Sequence, residues 1–225
     1  MNAFVLDVLD ASGARAIFVE LSAAHCECFP DDVPESGAET VDEFFDRVTW
    51  LHDESSTTWF VLRRARAEKI KSDGDVRGGE IVGFACGVSY ADSWYGAHLG
   101  VRPKYRRHGY GSYLMRVSQA HAAKLGITKL QASVDMDTRV GRGRLLGYYE
   151  LHGARVVQTG FGSAGAVEPS IIRIERHFTL DIARQELAQS EAVVFRPRRF
   201  NASKVQIPSI VFAFGVIILR RIRKR

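Results

Sequence analysis

The residues with the clearest chemical potential lie close together. The run Arg106-Arg107-His108-Gly109-Tyr110-Gly111-Ser112 sets two guanidiniums and an imidazole around a pair of glycines. Just upstream, Leu99-Gly100-Val101-Arg102-Pro103 reads as a strand that stops at its proline, which has no N–H to continue a ladder. A helix starting at or just before the second glycine would present unpaired backbone N–H groups beside the arginines. The missing Cβ atoms would let a ligand approach the main chain. Together these features make an anion site suited to a pyrophosphate. The same residues also suit a strand–turn–helix corner whose bases face water.

Such a turn needs a strand before it and a helix after it, and the surrounding periodicities supply both. Ala97 to Val101 reads as a strand, and a helix runs from Gly109 to Leu125 with Leu114, Val117, His121 and Leu125 on one face and Gly126 as its stop. Further strands are expected at Phe4–Val8, Thr58–Arg64, Ile81–Tyr90, Lys129–Val134, Arg155–Thr159 and Ile171–Thr179. One helix is expected over residues 12–27, with caps offered by Asp10, Ala11 and Ser12. A second begins at the capping box Thr40-Val41-Asp42-Glu43 and carries Val41, Phe44, Phe45, Val48 and Leu51 as an apolar stripe. A short helix is expected over Arg144–His152, stopped by Gly153, and another over Leu180–Gln189. The order β-α-α-β-β-β-α-β-α-β-β describes a mixed α/β domain ending near residue 180.

The segment from Leu99 to Gly111, followed about forty residues later by Tyr148-Tyr149-Glu150-Leu151-His152-Gly153-Ala154, resembles the GNAT superfamily of acetyl-CoA-dependent N-acetyltransferases. Its cofactor signature, L-x-V-x-P-x-Y-R-x-x-G-x-G, is complete here, and its F-Y-E-K-x-G-F stretch matches the second segment less closely. The resemblance covers about residues 1–179 and is most specific over 81–154. It implies a mostly antiparallel central sheet flanked by helices, with a splayed parallel strand pair. It implies that the main chain of Leu99, Gly100 and Val101 pairs with the pantetheine arm of acetyl-CoA, and that Arg106, Arg107, His108, Gly109, Tyr110, Gly111 and Ser112 cradle the pyrophosphate. Tyr149 matches the tyrosine that protonates the departing thiolate, though a core tyrosine is the alternative; Tyr148 reads as a packing residue. Where the family often has asparagine and alanine, seven and four residues before that tyrosine, this chain has Arg142 and Leu145. The motif's final aromatic is Ala154.

The implied activity is transfer of an acetyl group from acetyl-CoA to a primary amine, by direct attack in a ternary complex. A GNAT-like binding module and an enzyme for another acyl-CoA, such as succinyl-CoA, are the alternatives. The attacking amine must lose a proton, and His98 is the first candidate base. Alternation along its strand turns it away from Leu99 and Val101, so a packing role stands beside the catalytic one. Tyr95, Asp92 and Asp135 are other candidates. His121, on the apolar face of its helix, reads as a hydrogen-bonded core histidine. His25, Cys26 and Cys28 do not share a helical face, so no metal is expected.

Composition sets the outer bounds. The 225 residues are 46% apolar and 25% charged, which excludes wholesale disorder. Three cysteines cannot build a disulfide framework, so a reduced, cytoplasmic setting is the default. The net charge of +5 conceals an asymmetry: residues 1–58 hold thirteen acids and two bases. The acids include Asp31, Asp32, Glu35, Glu39, Asp42, Glu43 and Asp46, in the region that forms an acceptor wall in the family. A cationic acceptor, either a small amine or a protein or peptide amine, is therefore expected. Nucleic acid is not expected as a partner, and the oligomeric state is not legible. The extension 180–225 holds nine bases in its last thirty residues and an uncharged stretch from Val205 to Leu219. Fifteen residues make a helix of about 22 Å, shorter than a hydrocarbon core, so membrane attachment and docking on protein both remain readings of this tail.

Overall fold

The computed structural model describes residues 3–32, 39–49, 56–65, 79–135, 142–159 and 171–195. The first strand, β1 (Ala3–Leu9), leads into α1 (Ala11–Arg15), α2 (Phe18–Cys28) and α3 (Val41–Thr49). A meander follows: β2 (Thr57–Ala65), β3 (Glu80–Ser89) and β4 (Trp94–Val101). Then come α4 (Tyr110–Lys124), β5 (Lys129–Asp135), α5 (Arg142–Leu151), β6 (Arg155–Thr159), β7 (Ile171–His177) and α6 (Leu180–Val194). The strands form one sheet in the order β1-β2-β3-β4-β5-β7-β6. Every neighbouring pair is antiparallel except β4 and β5, which are parallel.

Period-two alternation in β2 distributes its side chains to two cores. Trp59 and Val61 pack with Leu21, Phe44, Phe45 and Phe84 beneath α1 to α3. Phe60 and Leu62 face the other way and pack with Leu6, Val82, Leu114 and Val117. Helices therefore cover both faces, and the meander occupies the middle of the sheet, between β1 and β5. The capping box at the start of α3 forms as expected, with Thr40 N–H donating to Glu43 Oε2 at 2.8 Å and Glu43 N–H donating to Thr40 Oγ1 at 3.3 Å.

Several features differ from expectation. The helix expected over 12–27 is two, because the chain leaves helical geometry at Ile17 (φ −116°, ψ 20°), whose side chain packs against the core beneath α2. β4 begins at Trp94 rather than Ala97, since Trp94, Tyr95 and Gly96 pair with Leu130, Gln131 and Ala132 of β5. Leu125, expected on the apolar face of α4, is exposed at the helix end. The final helix runs on to Val194, with Ala183 fully buried and Leu180, Leu187, Val194 and Phe195 packed on the larger core. Among the described residues no helix is long and apolar enough to cross a membrane. The apolar stretch 205–219 lies outside the described residues.

Candidate active site

The parallel pairing of β4 with β5 is short, running from Trp94 opposite Leu130 to Gly96 opposite Ala132. Beyond it the strands part: β4 continues to Val101 against β3, and β5 continues to Asp135 against β7. The edge of β4 from Ala97 to Val101 thus has no strand on its β5 side among the described residues. Main-chain groups along such an edge are available to an extended ligand. A bulge accompanies the parting. Cys86 opposes His98 while Gly87 opposes Gly96, so Ala97 is the extra residue.

A cavity opens at the divergence. Met115 of α4 and Leu99 of β4 border it on one side, and Ala132, Ser133 and Tyr149 on the other. His98 and Cys86 line it too. Both sequence candidates for catalysis, His98 and Tyr149, therefore border one space, although fifty residues separate them. Burial pushes the Tyr149 phenol well above the ordinary tyrosine range, so it holds its proton at neutral pH. Burial likewise pushes the Cys86 thiol up to about 12, so it is not a thiolate. Tyr95, another candidate base, donates its hydroxyl to Ser133 Oγ at 2.9 Å. Asp92 accepts from Lys129 Nζ at 2.6 Å, which holds its carboxyl below the usual range.

His98 faces the helical layer as the alternation requires. Its ring lies 5.3 Å from that of His25 and 5.6 Å from that of Phe29. His25 is fully buried among Phe29, Phe44 and Phe84, and neither ring nitrogen has a hydrogen-bond partner. Its pKa is lowered to about 3, first by burial, then by the charges of His98 and Arg47. Nothing in the sequence marked His25 as His98's neighbour, because the contact joins α2 to β4. His121 packs edge-on against Phe60 and Trp94.

The basic turn is built as the glycine pattern suggests, but its charges are divided. Gly109 caps α4 at φ 83°, a left-handed conformation that favours glycine. The first four amides of the helix have no acceptor within it. Arg102 is held by Glu27 and by Glu80, and Lys104 also pairs with Glu80. Arg106 Nε donates to Val101 O at 3.0 Å and its Nη2 to Cys28 O at 3.2 Å, tying the turn to α2. Arg107 and His108 remain exposed around the helix start, and His108 Nδ1 lies 2.8 Å from Arg106 O. Gly100 serves packing as well as main-chain exposure: a Cβ there would stand 3.0 Å from both Cys28 Sγ and Phe84 Cζ. Ser112 lies in the first turn of α4, beside the hydroxyl of Tyr148 and the ring of His152.

The acid-rich segment is partly consumed by internal pairs. Arg47 binds Glu39 through Nε at 2.7 Å and Asp32 through Nη1 at 2.7 Å. Arg15 binds Asp42 at 2.5 Å, and Glu43 caps α3. Glu35 lies outside the described residues, as do residues 136–141.

The sequence profile of the Acetyltransferase (GNAT) family matches residues 18–153. Solved structures with a similar fold include an IAA acetyltransferase from Bacillus cereus, 14% identical, with 78% of this chain and 100% of that one aligned at a TM-score of 0.51. An acetyltransferase from Streptococcus agalactiae, 11% identical, aligns over 77% of this chain and 98% of its own at 0.52. The PaiA N-acetyltransferase from Thermoplasma acidophilum, solved in complex with coenzyme A, aligns over 77% and 99% at 0.50 with 14% identity. No curated protein matches the sequence.

Proposed function

The chain belongs to the Acetyltransferase (GNAT) family, and on that premise we propose that it transfers an acetyl group from acetyl-CoA to a primary amine by direct attack. The observation that carries this reading is the parting of β4 from β5, with Tyr149 at the resulting cavity. An extended pantetheine arm fits along the strand-free edge at Leu99, Gly100 and Val101, where the Val101 carbonyl already accepts from Arg106 Nε. The pyrophosphate fits at the amides of Gly109, Tyr110, Gly111 and Ser112, with Arg106, Arg107 and His108 supplying positive potential. The structurally similar PaiA protein was solved in complex with coenzyme A, which supports coenzyme A as the class of ligand.

In the reaction the amine nitrogen forms a bond to the thioester carbonyl carbon, and the carbon–sulfur bond breaks. Tyr149, protonated and bordering the cavity, delivers a proton to the leaving sulfur. The proton lost by the amine passes to a base, for which His98 is the candidate. The Cys86 thiol is protonated and opposite His98, a poor nucleophile, which favours direct attack over an acyl-enzyme.

For the acceptor we retain a cationic amine. Among the described residues Arg15, Arg47, Arg63 and Arg102 pair with Asp42, Asp32, Glu39, Asp7, Glu20 and Glu27, yet the segment still holds thirteen acids against two bases of its own. The excess negative charge of this segment attracts a cation before contact. Residues 1–179 are proposed as the acetyltransferase domain and 180–225 as an extension. Membrane contact through 205–219 would appear as full-length protein in a carbonate-resistant pellet, and its absence there removes that part of the proposal.

The test of the activity is a thermal-shift series with acetyl-CoA, succinyl-CoA and free CoA, followed by turnover with amine acceptors. Selective stabilisation by acetyl-CoA together with CoA release on adding an amine is the expected result. Stabilisation without turnover on any amine would reduce the protein to a binding module, and a larger shift with succinyl-CoA would change the donor.

A further inference from the structure

Ser112 stands at the end of a polar chain that runs through four elements. Its Oγ is 3.0 Å from His152 Nε2, at the end of α5. His152 Nδ1 is 2.8 Å from Arg116 Nη2, one turn further along α4. Arg116 Nη1 reaches Gln119 Oε1 at 2.8 Å and lies 2.8 Å from Glu186 Oε2 of α6. Arg176 of β7 closes the network, with Nη2 donating to Glu186 Oε1 at 2.6 Å and Nη1 to Gln119 Oε1 at 3.1 Å. Arg116, Gln119 and Arg176 are all buried. Buried guanidiniums need this many partners to offset the water they lose.

The order of donors in the chain is fixed by its chemistry. A guanidinium has donors only, so His152 Nδ1 must accept from Arg116. The imidazole is then neutral, and its remaining hydrogen is on Nε2. Burial keeps the ring below the ordinary histidine range, in the same direction. Nε2–H donates to Ser112 Oγ, so the serine's own hydrogen is not drawn toward His152. It is left for an oxygen acceptor bound beside the unpaired amides at the start of α4. The hydroxyl of Tyr148 has no partner at full hydrogen-bond geometry, but it stands close enough to Ser112 to be the protein group that competes for this hydrogen.

We infer that His152, Arg116 and Glu186 are positioning residues that hold Ser112 as a hydrogen-bond donor to the CoA pyrophosphate. This inference rests on the acetyl-CoA reading above. It brings α6, which lies beyond the residues matched by the family profile, into cofactor binding. It also gives a physical role to a histidine that the sequence marks only as part of a helix end.

The experiment is calorimetric titration of CoA into the full chain and into His152→Phe, Ser112→Ala and the double variant. Phenylalanine keeps a ring against Tyr148, whose centroid lies 4.7 Å from that of His152, but offers no N–H. His152→Phe and Ser112→Ala should each weaken CoA about tenfold, the effect of one hydrogen bond to a charged group. The double variant should be no weaker than Ser112→Ala alone. Nitrogen-15 spectra of the wild type should show His152 protonated on Nε2 and not on Nδ1, a measurement that needs no variant to fold. Unchanged affinity in His152→Phe, losses that multiply in the double variant, or a proton on Nδ1 would overturn the inference while leaving the acetyl-CoA reading intact. A wild type that binds no CoA would overturn both.

Discussion

Tyr149 and His25 show how one physical effect, burial, yields two different consequences. For Tyr149, burial retains a proton, which is what a general acid must carry to a departing thiolate. Tyr149→Phe should keep its affinity for acetyl-CoA while turnover at saturating donor falls by a factor on the order of 10²; equal turnover would assign Tyr149 to packing alone. For His25, burial excludes a proton. Its folded pKa of about 3 lies below the ordinary 6.5, so between these values the unfolded chain binds the extra proton. Stability from this residue is complete above about pH 6.5 and is lost as the pH falls toward 3, at no more than about 1.4 kcal/mol per pH unit. His25→Leu should flatten the stability profile between pH 6 and 4 in urea titrations. An identical profile would show that other groups govern acid sensitivity.

At the scale of elements, the turn between β4 and α4 divides its duties among similar residues. Gly109 is required by backbone conformation, since φ 83° strains any side chain, and Val194 of α6 lies 3.3 Å from where a Cβ would be. Gly111 has no positive φ, and a Cβ there would make only ordinary contacts, 3.5 Å from Tyr148 Oη and 3.7 Å from Val101 Cγ2. Gly109→Ala should therefore destabilise the fold by about 1–2 kcal/mol, whereas Gly111→Ala should be accommodated and gain helix propensity of up to about 1 kcal/mol. Paired denaturant titrations separate the two, and equal losses would contradict the assignment. Gly111→Val, whose branches reach Tyr148 and Val101, should weaken CoA binding. The arginines divide in the same way: Arg102 and Arg106 bind protein groups, and Arg107 is left exposed beside the helix start.

For the whole molecule, charge is distributed by region. The first 58 residues are strongly acidic and the remainder basic. With the acidic helices on one face of the sheet and the basic turn at the start of α4, a cationic amine and an anionic donor are drawn to different parts of one molecule. Raising the salt concentration should lower kcat/KM for a diamine more than for a neutral-tailed amine, because screening weakens steering of the charged substrate. Equal salt dependence would remove charge from the account of acceptor choice. The helix α6 extends the core beyond the matched family region, burying Ala183 and placing Phe195 against Phe4 and Tyr113. A chain truncated before Leu180 should therefore expose this apolar surface and lose stability.

Much of this architecture is local, and local features are what a sequence records. The Thr40 capping box, the apolar stripe of α3, the alternation of β2 and the proline–glycine turn from Pro103 to Gly111 each depend on residues near in the chain. Hydrogen-bond geometry and side-chain direction there follow from spacing alone. The Leu99–Gly111 signature, together with Tyr148-Tyr149-Glu150, was enough to indicate the family. What spacing cannot specify is which distant side chains meet. His25 reaches His98 only because α2 packs across β4, and Gly100 is glycine there because Cys28 fills the space. The split of the first helix at Ile17 and the early start of β4 at Trp94 were likewise decided by burial and by pairing with β5. The network from Glu186 to Ser112 joins residues 74 positions apart in the chain, and its hydrogen-bond direction is set by a buried arginine with nothing but donors to offer. Such a contact has no periodicity to announce it, and only the packing of α4, α5, β7 and α6 around one buried cluster brings it into being.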